Sequence, residues 1–287
     1  MTHLFQTCVH HARYITLLAM GAWLAAAAHM AMAAASLEVG VLPNVSARVL
    51  MTQYEPMQSH LHKQLGLPVL VSTAPSWREF YQRLKQGQYQ LVVVAGNVAR
   101  LAEKDLGYKP LVSYEPLVPA VFVTKKGVST QPSVLMNGQK LALGNPASLV
   151  AFEGARWLDQ QGLQSGKHYQ TLQVRADDSV GSAIIRGEAA AGIMSMGEFR
   201  AHAPEVREQL SIHTRFAEVT SFVVMASPTL DAAMAERVRK LLLAFDGQVD
   251  DGRLFFERSG FKAIVPFNPS ALQQLDAYVD STRKLLD

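Results

Sequence analysis

Apolar residues along this chain alternate between short continuous runs and helical repeats. Residues 37–42, 68–73 and 91–95 are short apolar runs, and a helix-like pattern follows each of them. The first of these patterns spaces its apolar residues 4, 3, 4 and 4 positions apart, which is one face of an α-helix. Its members are Leu50, Tyr54, Met57, Leu61 and Leu65. Strands that alternate with helices predict a mostly parallel sheet with helices on both faces.

Three residues predict where these helices begin and end. Pro56 lies within the first pattern, and because proline lacks a backbone N–H, we expect that helix to begin or kink near Tyr54. Gly87 is placed to end the second helix in a left-handed conformation. Asn97 is placed to cap the helix that follows the run at residues 91–95.

Two extended apolar segments, residues 118–124 and 221–226, bracket a second strand-helix series. Between them the pattern predicts strands at 140–143, 169–174 and 191–194, with helices at 148–161 and 179–186. Two crossing segments around an inner series predict an inserted lobe that is reached by two hinges. We therefore expect lobe 1 to comprise residues 36–120 and 221–287, and lobe 2 to comprise residues 121–220.

The first 35 residues have the pattern of a secretory signal peptide. They contain Arg13, no acidic residue and an apolar run of 14 residues at positions 15–28. That run is shorter than the stretch of about 20 apolar residues that spans a membrane. Small residues follow it, so we expect cleavage before Ser36 and a periplasmic mature protein. The alternative is an uncleaved N-terminal anchor. Cys8 precedes the apolar run, whereas a lipoprotein cysteine would follow it.

Charge and chemistry narrow the function classes. Cleavage after residue 35 would remove only Arg13 of the 27 basic residues, leaving 26 against 24 acidic ones, a balance that does not favour a nucleic-acid partner. Cys8, the only cysteine, would also leave, which excludes disulfides and cysteine chemistry. Neither a metal-binding histidine pair nor a nucleophile or nucleotide motif occurs. We therefore expect a monomeric binding protein without a cofactor, and not an enzyme.

The predicted layout indicates where a ligand would bind. In a two-lobed α/β protein the cleft lies at the carboxyl ends of the strands, where helix N-termini point inward. Those termini favour anions through their free N–H groups and their dipoles. Hinge closure on a small ligand is the matching motion. This is the architecture of periplasmic solute-binding proteins.

Several short motifs along the chain carry a family resemblance. They are Gly40-Val41-Leu42-Pro43 with Tyr54-Glu55-Pro56, Thr73-Ala74-Pro75-Ser76-Trp77, Gly96-Asn97, Gly144-Asn145-Pro146 with Ser148, Arg186-Gly187-Glu188, and Ser259-Gly260-Phe261. In this order and spacing, over nearly all of residues 37–270, the chain resembles the phosphate, phosphite and phosphonate-binding proteins of ABC transporters, the PhnD-like family. The resemblance implies a type 2 periplasmic binding fold, with two α/β lobes and two hinge crossovers, that captures a small oxyanion and delivers it to an inner-membrane permease.

Candidate ligand contacts in lobe 1 lie at the ends of predicted strands. Asn44, Ser46 and Arg48 follow the first strand on a loop-to-helix turn, where Arg48 could bind an oxyanion or remain a solvated helix residue. Trp77 falls where the family usually places an aromatic residue at the cleft mouth, and its alternative role is in the core of a helix. Asn97 completes the set.

Candidate contacts in lobe 2 depart from the family pattern. Ser148, with Asn145 in the turn before it, is placed to join an oxyanion cradle or to cap a helix. Leu149 and Val150 replace the hydroxyls that relatives commonly carry. Asp177 stands where relatives often have histidine, either as a solvated helix start or facing a ligand that carries a donor.

Ser195 and Thr220 are the last two candidates, one after a predicted strand and one at the second hinge. Aminophosphonate-binding relatives tend to have a carboxylate near that hinge, which argues against a simple aminoalkylphosphonate as the ligand. The hypothesis is a periplasmic protein that captures a small phosphonate-like oxyanion for an ABC transporter. The alternatives are a sensor subunit of the same fold that signals to a membrane receptor and, with least support, an exported enzyme.

Overall fold

A computed structural model of the protein describes residues 36–128, 131–135, 137–174 and 179–287. The predicted leader at residues 1–35 and the candidate Asp177 lie outside the described residues. The strands are β1 (Leu37–Val41), β2 (Val69–Ser72), β3 (Leu91–Val94), β4 (Lys109–Glu115), β5 (Val118–Lys125), β6 (Lys140–Leu143), β7 (Gln170–Gln173), β8 (Ala191–Ser195), β9 (Leu210–Val219), β10 (Val223–Ala226) and β11 (Ala263–Pro266).

The helices flank these strands, and a short 3-10 turn lies at Pro132–Leu135. They are α1 (Ala47–Leu65), α2 (Trp77–Lys85), α3 (Gly96–Leu106), α4 (Leu149–Gln160), α5 (Val180–Ile185), α6 (Met196–Ala201), α7 (Pro204–Arg207), α8 (Ala232–Leu243), α9 (Asp250–Ser259), α10 (Pro269–Gln273) and α11 (Asp276–Leu286). None of these helices is long and apolar enough to cross a membrane.

The strands form two mixed sheets. The six-stranded sheet has the order β11-β4-β10-β3-β1-β2, and with its helices α1 to α3 and α8 to α11 it makes lobe 1. The five-stranded sheet has the order β7-β6-β8-β5-β9, and with α4 to α7 it makes lobe 2. Strands β1 to β3 pair in parallel, as do β6 to β8, but β10, β5 and β9 run antiparallel to their neighbours. The expected mostly parallel sheet is thus corrected to a mixed one, because the chain crosses between sheets twice.

Two crossovers connect the lobes side by side. The chain leaves lobe 1 at the end of β4 and enters lobe 2 at β5, and it returns from β9 to β10. Val118 pairs with Val219 on the lobe 2 side, and Ser113 pairs with Val223 on the lobe 1 side. The crossovers at residues 116–117 and 220–222 therefore form one narrow connection, which lies at the back of the cleft.

Helix α1 begins at Ala47 and continues through Pro56, so the prediction that it could begin near Tyr54 is wrong. Proline cannot donate the hydrogen bond that the Thr52 carbonyl would receive in a regular helix. The Arg258 guanidinium donates to that carbonyl instead at 2.7 Å, and it also contacts Glu55 at 3.0 Å. A long-range cation thus satisfies the acceptor that Pro56 leaves open, which the local sequence could not reveal.

The ends of the neighbouring helices test the other two local predictions. Gly87 has a φ of 67° and its N–H donates to the Leu84 carbonyl, so it ends α2 as expected. Asn97 does not cap α3, because the helix begins one residue earlier and Ala95 occupies the cap position. The Asn97 side-chain amide instead donates hydrogen bonds to Ala147 and Thr282.

Burial explains why the short apolar runs form strands. All four residues of β3 are buried at the centre of the six-stranded sheet, as the continuous run predicts. A single cluster of buried apolar side chains extends from lobe 1 into lobe 2 and includes Trp77, Leu149 and Leu275. The two lobes are therefore in contact across the seam between them.

His60 is buried on α1, where its ring lies 4.8 Å from the ring of Phe245 and its Nε2 has no partner among the described residues. Loss of hydration lowers the pKa of His60, an effect that Asp251 opposes and Lys63 reinforces. Because the unfolded chain then binds a proton at a higher pH than the folded chain, acid favours unfolding below the ordinary histidine pKa.

We predict that His60→Leu makes stability less sensitive to pH. The free energy of unfolding of the native protein should fall between about pH 7.5 and about pH 5.5, and His60→Leu should reduce that fall. Urea denaturation of both proteins at the two pH values measures the difference. An equal fall in both proteins would show that His60 is not the responsible group.

Candidate functional site

A cavity of about 40 Å³ lies in the cleft between the lobes. One water molecule needs roughly 10–15 Å³ on the same measure, so the cavity suits a molecule of a few heavy atoms. Residues from both lobes and from the crossovers line it. They are Asn44, Trp77, Ala95, Val118, Ser148, Leu149, Val150, Ser195, Glu198, Val219, Thr220 and Phe222.

The N-terminus of α4 is the main polar feature of this cavity. Ser148 caps the helix, since its Oγ accepts the Ala151 N–H at 3.0 Å. The next two residues, Leu149 and Val150, line the cavity, and their backbone N–H groups have no acceptor in the described part of the chain. Helix α4 has 12 residues, so its dipole places partial positive charge at this point. The arrangement suits an oxyanion.

Lobe 1 contributes an aromatic wall. The Trp77 side chain is buried at the start of α2, and its Nε1 donates to the Pro43 carbonyl at 3.1 Å. This bond ties α2 to the loop after β1, which carries Asn44 into the cavity wall. Trp77 belongs to the core, as its alternative role predicts, and it also lines the cleft.

The second crossover packs closely on the start of α3. A Cβ atom added to Gly96 would lie 2.9 Å from the Thr220 Cγ2 and 2.8 Å from the Leu275 Cδ1. Only glycine allows this approach, because real Cβ contacts are essentially never so short. Gly96 thus allows Thr220, on the second crossover, to approach α3 within the cavity wall.

Ser195 and Glu198 form a capping box at the start of α6. The Ser195 Oγ accepts the Glu198 N–H at 3.1 Å, and the Glu198 carboxylate accepts the Ser195 N–H at 2.5 Å. Glu198 lines the cavity although the sequence analysis did not select it. The signal was present as the spacing Ser-x-x-Glu, which is typical of a capping box.

His202 holds this end of lobe 2 together. Its Nε2 accepts the Gly181 N–H at 2.9 Å, so its Nδ1 carries the proton and donates to the Glu198 carbonyl at 2.8 Å. The neutral imidazole therefore links α5 to α6 behind the cavity wall.

A second chamber of about 60 Å³ continues the cleft past Asn44, Val118, Ser195 and Phe222. It contains the cation Arg200, which packs on lobe 1, because a Cβ atom at Gly260 would lie 2.8 Å from the Arg200 Nη2. None of the residues that line the first cavity is lysine or arginine. The positive partial charge in the first cavity thus comes from helix N–H groups, which the Glu198 carboxylate opposes, and Arg200 lies in the second chamber.

Five of the ten candidates from the sequence line the first cavity: Asn44, Trp77, Ser148, Ser195 and Thr220. Four others lie outside it among the described residues. Arg48 is exposed, Ser46 precedes α1, and Asn145 accepts the Ala147 N–H at 2.8 Å through its Oδ1. Asn97 is fully buried at the seam. A ligand role for each candidate stays a prediction.

Sequence reasoning missed the apolar part of the wall. Ala95, Val118, Val219 and Phe222 line the cavity from strand ends and crossovers. Their sequence signal is that of ordinary buried strand residues, so periodicity could not separate cavity wall from core. In the described part of the chain, no group of three or more His, Cys, Asp or Glu side chains could hold a metal ion.

Comparison with known proteins now adds to this geometry. The family model described as "ABC transporter, phosphonate, periplasmic substrate-binding protein" matches residues 39–272. No curated protein matches the sequence.

Three similar solved structures share the fold. PhnD1 from Prochlorococcus marinus in complex with methylphosphonate has a TM-score of 0.77 and 16% identity, with 87% of this chain and 98% of that chain covered. A phosphonate transporter binding protein from Pseudomonas aeruginosa gives 0.75 and 12%, with 88% and 89% covered. A Xanthomonas citri protein bound to ATP gives 0.66 and 20%, with 88% and 99% covered. The predicted type 2 periplasmic binding fold is confirmed.

We predict that Ser148→Ala lowers the free energy of unfolding by about 1 kcal/mol, the usual loss when a serine N-cap is removed. Ser148→Asp should remain close to the native stability, because aspartate caps a helix as well as serine does. Urea denaturation near neutral pH measures both values. A Ser148→Ala protein as stable as the native one would show that the cap bond contributes little.

Proposed function

This chain belongs to the periplasmic substrate-binding proteins of phosphonate ABC transporters, and we propose that it captures a small oxyanion in the cleft between its lobes. Proteins of this family bind substrates and are not enzymes. The observation that carries the proposal is the N-terminus of α4, where Ser148, Leu149 and Val150 line the cavity and the N–H groups of Leu149 and Val150 have no acceptor among the described residues.

The walls of the cavity favour an organic oxyanion over an inorganic one. Val118, Leu149, Val150, Val219 and Phe222 surround the α4 terminus with apolar surface. Such surface stabilises a bound alkyl group and offers little to a fully hydrated anion. The Prochlorococcus marinus relative is described in complex with methylphosphonate. An alkylphosphonate of similar size is therefore the ligand that we propose.

Capture by hinge closure is the motion that we propose. We place lobe 1 at residues 36–120 and 221–287 and lobe 2 at residues 121–220. Between these lobes the polypeptide chain passes through the two neighbouring crossovers. A rotation there would open the cleft and leave both sheets intact.

Export and delivery complete the proposal. We propose that residues 1–35 direct export and are removed, and that the mature protein works in the periplasm as a monomer. It would deliver its ligand to an ABC permease in the inner membrane, the partner that the family implies. The alternative sensor role has less support, because the matching family is a family of transporter components.

We predict that methylphosphonate raises the melting temperature of the mature protein more than phosphate, phosphite, methanesulfonate or acetate does. A ligand at 100 times its Kd adds about 2.7 kcal/mol to the free energy of unfolding, which a thermal-shift assay detects readily. If none of these anions moved the melting temperature, the proposal of oxyanion capture would be wrong. A larger shift with phosphate than with methylphosphonate would contradict the proposed alkyl substituent.

We predict that Ser148→Asp abolishes anion binding although the helix stays capped. A carboxylate at the start of α4 would repel an oxyanion and occupy its place at the N–H groups. Isothermal titration with the most stabilising anion of the thermal-shift series measures the loss. Ser76→Asp is the matched control, because Ser76 caps α2 in the same way, is exposed and does not line the cavity. If Ser148→Asp bound the anion with unchanged affinity, the proposed anion site at the start of α4 would be wrong.

A further inference from the structure

A buried amide joins the two lobes at the seam beside the cleft. The Asn97 side chain, on α3 of lobe 1, is fully buried. Its Nδ2 donates to the Ala147 carbonyl of lobe 2 at 2.7 Å and to the Thr282 Oγ1 at 2.9 Å. A carbonyl only accepts hydrogen bonds, so the Nδ2 must face Ala147 and the orientation of the amide is fixed. Asn97 thus bridges the C-terminal helix α11 and lobe 2.

The carbonyl that Asn97 holds belongs to the turn that begins α4. The Ala147 N–H donates to the Asn145 Oδ1 at 2.8 Å, and the Ser148 N–H donates to the Asn145 carbonyl at 3.1 Å. Ser148 then caps the helix. The Asn97 amide therefore contacts the backbone of Ala147, the residue directly before Ser148. This backbone orients the start of α4, where we propose that the oxyanion binds.

Helix α11 makes a second contact with α4 along the same seam. The Tyr278 hydroxyl donates to the Glu153 carboxylate, and the Tyr278 ring stacks on Phe152 with 5.6 Å between centroids. Tyr278 and Thr282 are four residues apart, so both lie on the same side of α11. One side of α11 thus contacts both α3, through Thr282, and lobe 2, through Tyr278.

Burial makes the seam sensitive to lobe closure. Asn97, Thr282 and Ala147 are all at most 1% exposed. The bond from Asn97 to Ala147 crosses between the lobes and exists only while they are in contact, whereas the bond from Asn97 to Thr282 lies within lobe 1. The Asn97 Oδ1 is buried without a partner among the described residues, which offsets part of the gain from the two bonds. The net free energy of this bridge should therefore be small, so that it favours closed lobes and still allows them to open.

We propose that Asn97 is a positioning residue for ligand binding, held by Thr282 and acting on the cradle through the Ala147 carbonyl. Asn97 itself does not line the cavity. Through it the C-terminal helix α11 sets how the start of α4 is presented and how often the lobes are closed. This inference rests on the proposed capture of an oxyanion between the lobes.

The test measures the distance between the lobes directly. The chain has no cysteine after Cys8, so spin labels at Gln86→Cys in lobe 1 and Gln160→Cys in lobe 2 of the mature protein are specific. Both positions are exposed. Double electron-electron resonance then gives the distance distribution without ligand and with methylphosphonate. We expect Asn97→Ala and Thr282→Val each to reduce the population at the short distance in the native distribution.

Binding provides the second readout. Loss of the one hydrogen bond that crosses between the lobes, from Asn97 to Ala147, should raise the Kd for methylphosphonate roughly 3- to 10-fold in Asn97→Ala. Thr282→Val, which removes only the support of the amide, should raise the Kd by a similar or smaller factor. The double variant Asn97→Ala/Thr282→Val should bind methylphosphonate no worse than Asn97→Ala does, because the Thr282 hydroxyl acts through the Asn97 amide. Thr52→Val is the matched control, since Thr52 is an exposed helical threonine of lobe 1 away from the seam. If Asn97→Ala does not fold, Tyr278→Phe replaces it in both experiments. This variant keeps the ring on Phe152 and removes only the hydrogen bond to Glu153 across the seam.

The outcomes separate the two proposals. If methylphosphonate does not bind the native protein, the ligand-free distance distributions still decide whether Asn97 and Thr282 favour closure. Distributions that coincide for the native protein and both variants in every condition would overturn the inference, as would a native protein without a short-distance population. A variant that melts earlier but keeps the native distribution would reduce Asn97 to a purely structural role.

Discussion

The double connection between the two sheets is the constraint on which the rest of this structure depends. Strand β5 pairs with β9 in lobe 2 and β4 pairs with β10 in lobe 1, so the two crossovers lie side by side. This pairing places the strand ends of both lobes around one cleft, and it brings Val118, Val219, Thr220 and Phe222 into the cavity wall. It also makes the sheets mixed, because a chain that leaves a sheet and returns to it runs in opposite directions.

The chemistry of the cleft follows from what surrounds it. In the proposed function, oxyanion recognition rests on the N–H groups and the dipole at the start of α4, where Ser148 provides a hydroxyl, whereas Arg200 lies in the adjoining chamber. Helix N–H groups are fixed by the fold and carry no counterion, so they bind a small anion without the desolvation cost of a buried lysine or arginine. On this proposal the apolar wall selects the organic substituent of the ligand and not its charge.

Local patterns predicted most elements, and the failures have physical causes. The buried run of β3 and the apolar face of α1 were found from periodicity alone, and Gly87 ends α2 as predicted. The local pattern does not predict strands β4 and β11. It also cannot show that Arg258, about 200 residues further on, supplies the donor that Pro56 lacks, which lets α1 begin before the proline. In the site, Ser148 and Trp77 were selected from their turns, whereas Glu198 was overlooked within an ordinary capping box.

The sequence by itself determined most of the strands and helices, the two extended crossing segments and the family resemblance, because each depends on residues that are close along the chain. Tertiary structure decided which helix N-termini meet at the cleft and what Asn97 does. Its two acceptors are 50 and 185 positions away in the sequence, and no local pattern carries that information. An asparagine after a strand end resembles a helix cap in sequence, and only the packing of α11 and lobe 2 against α3 makes it a bridge between the lobes.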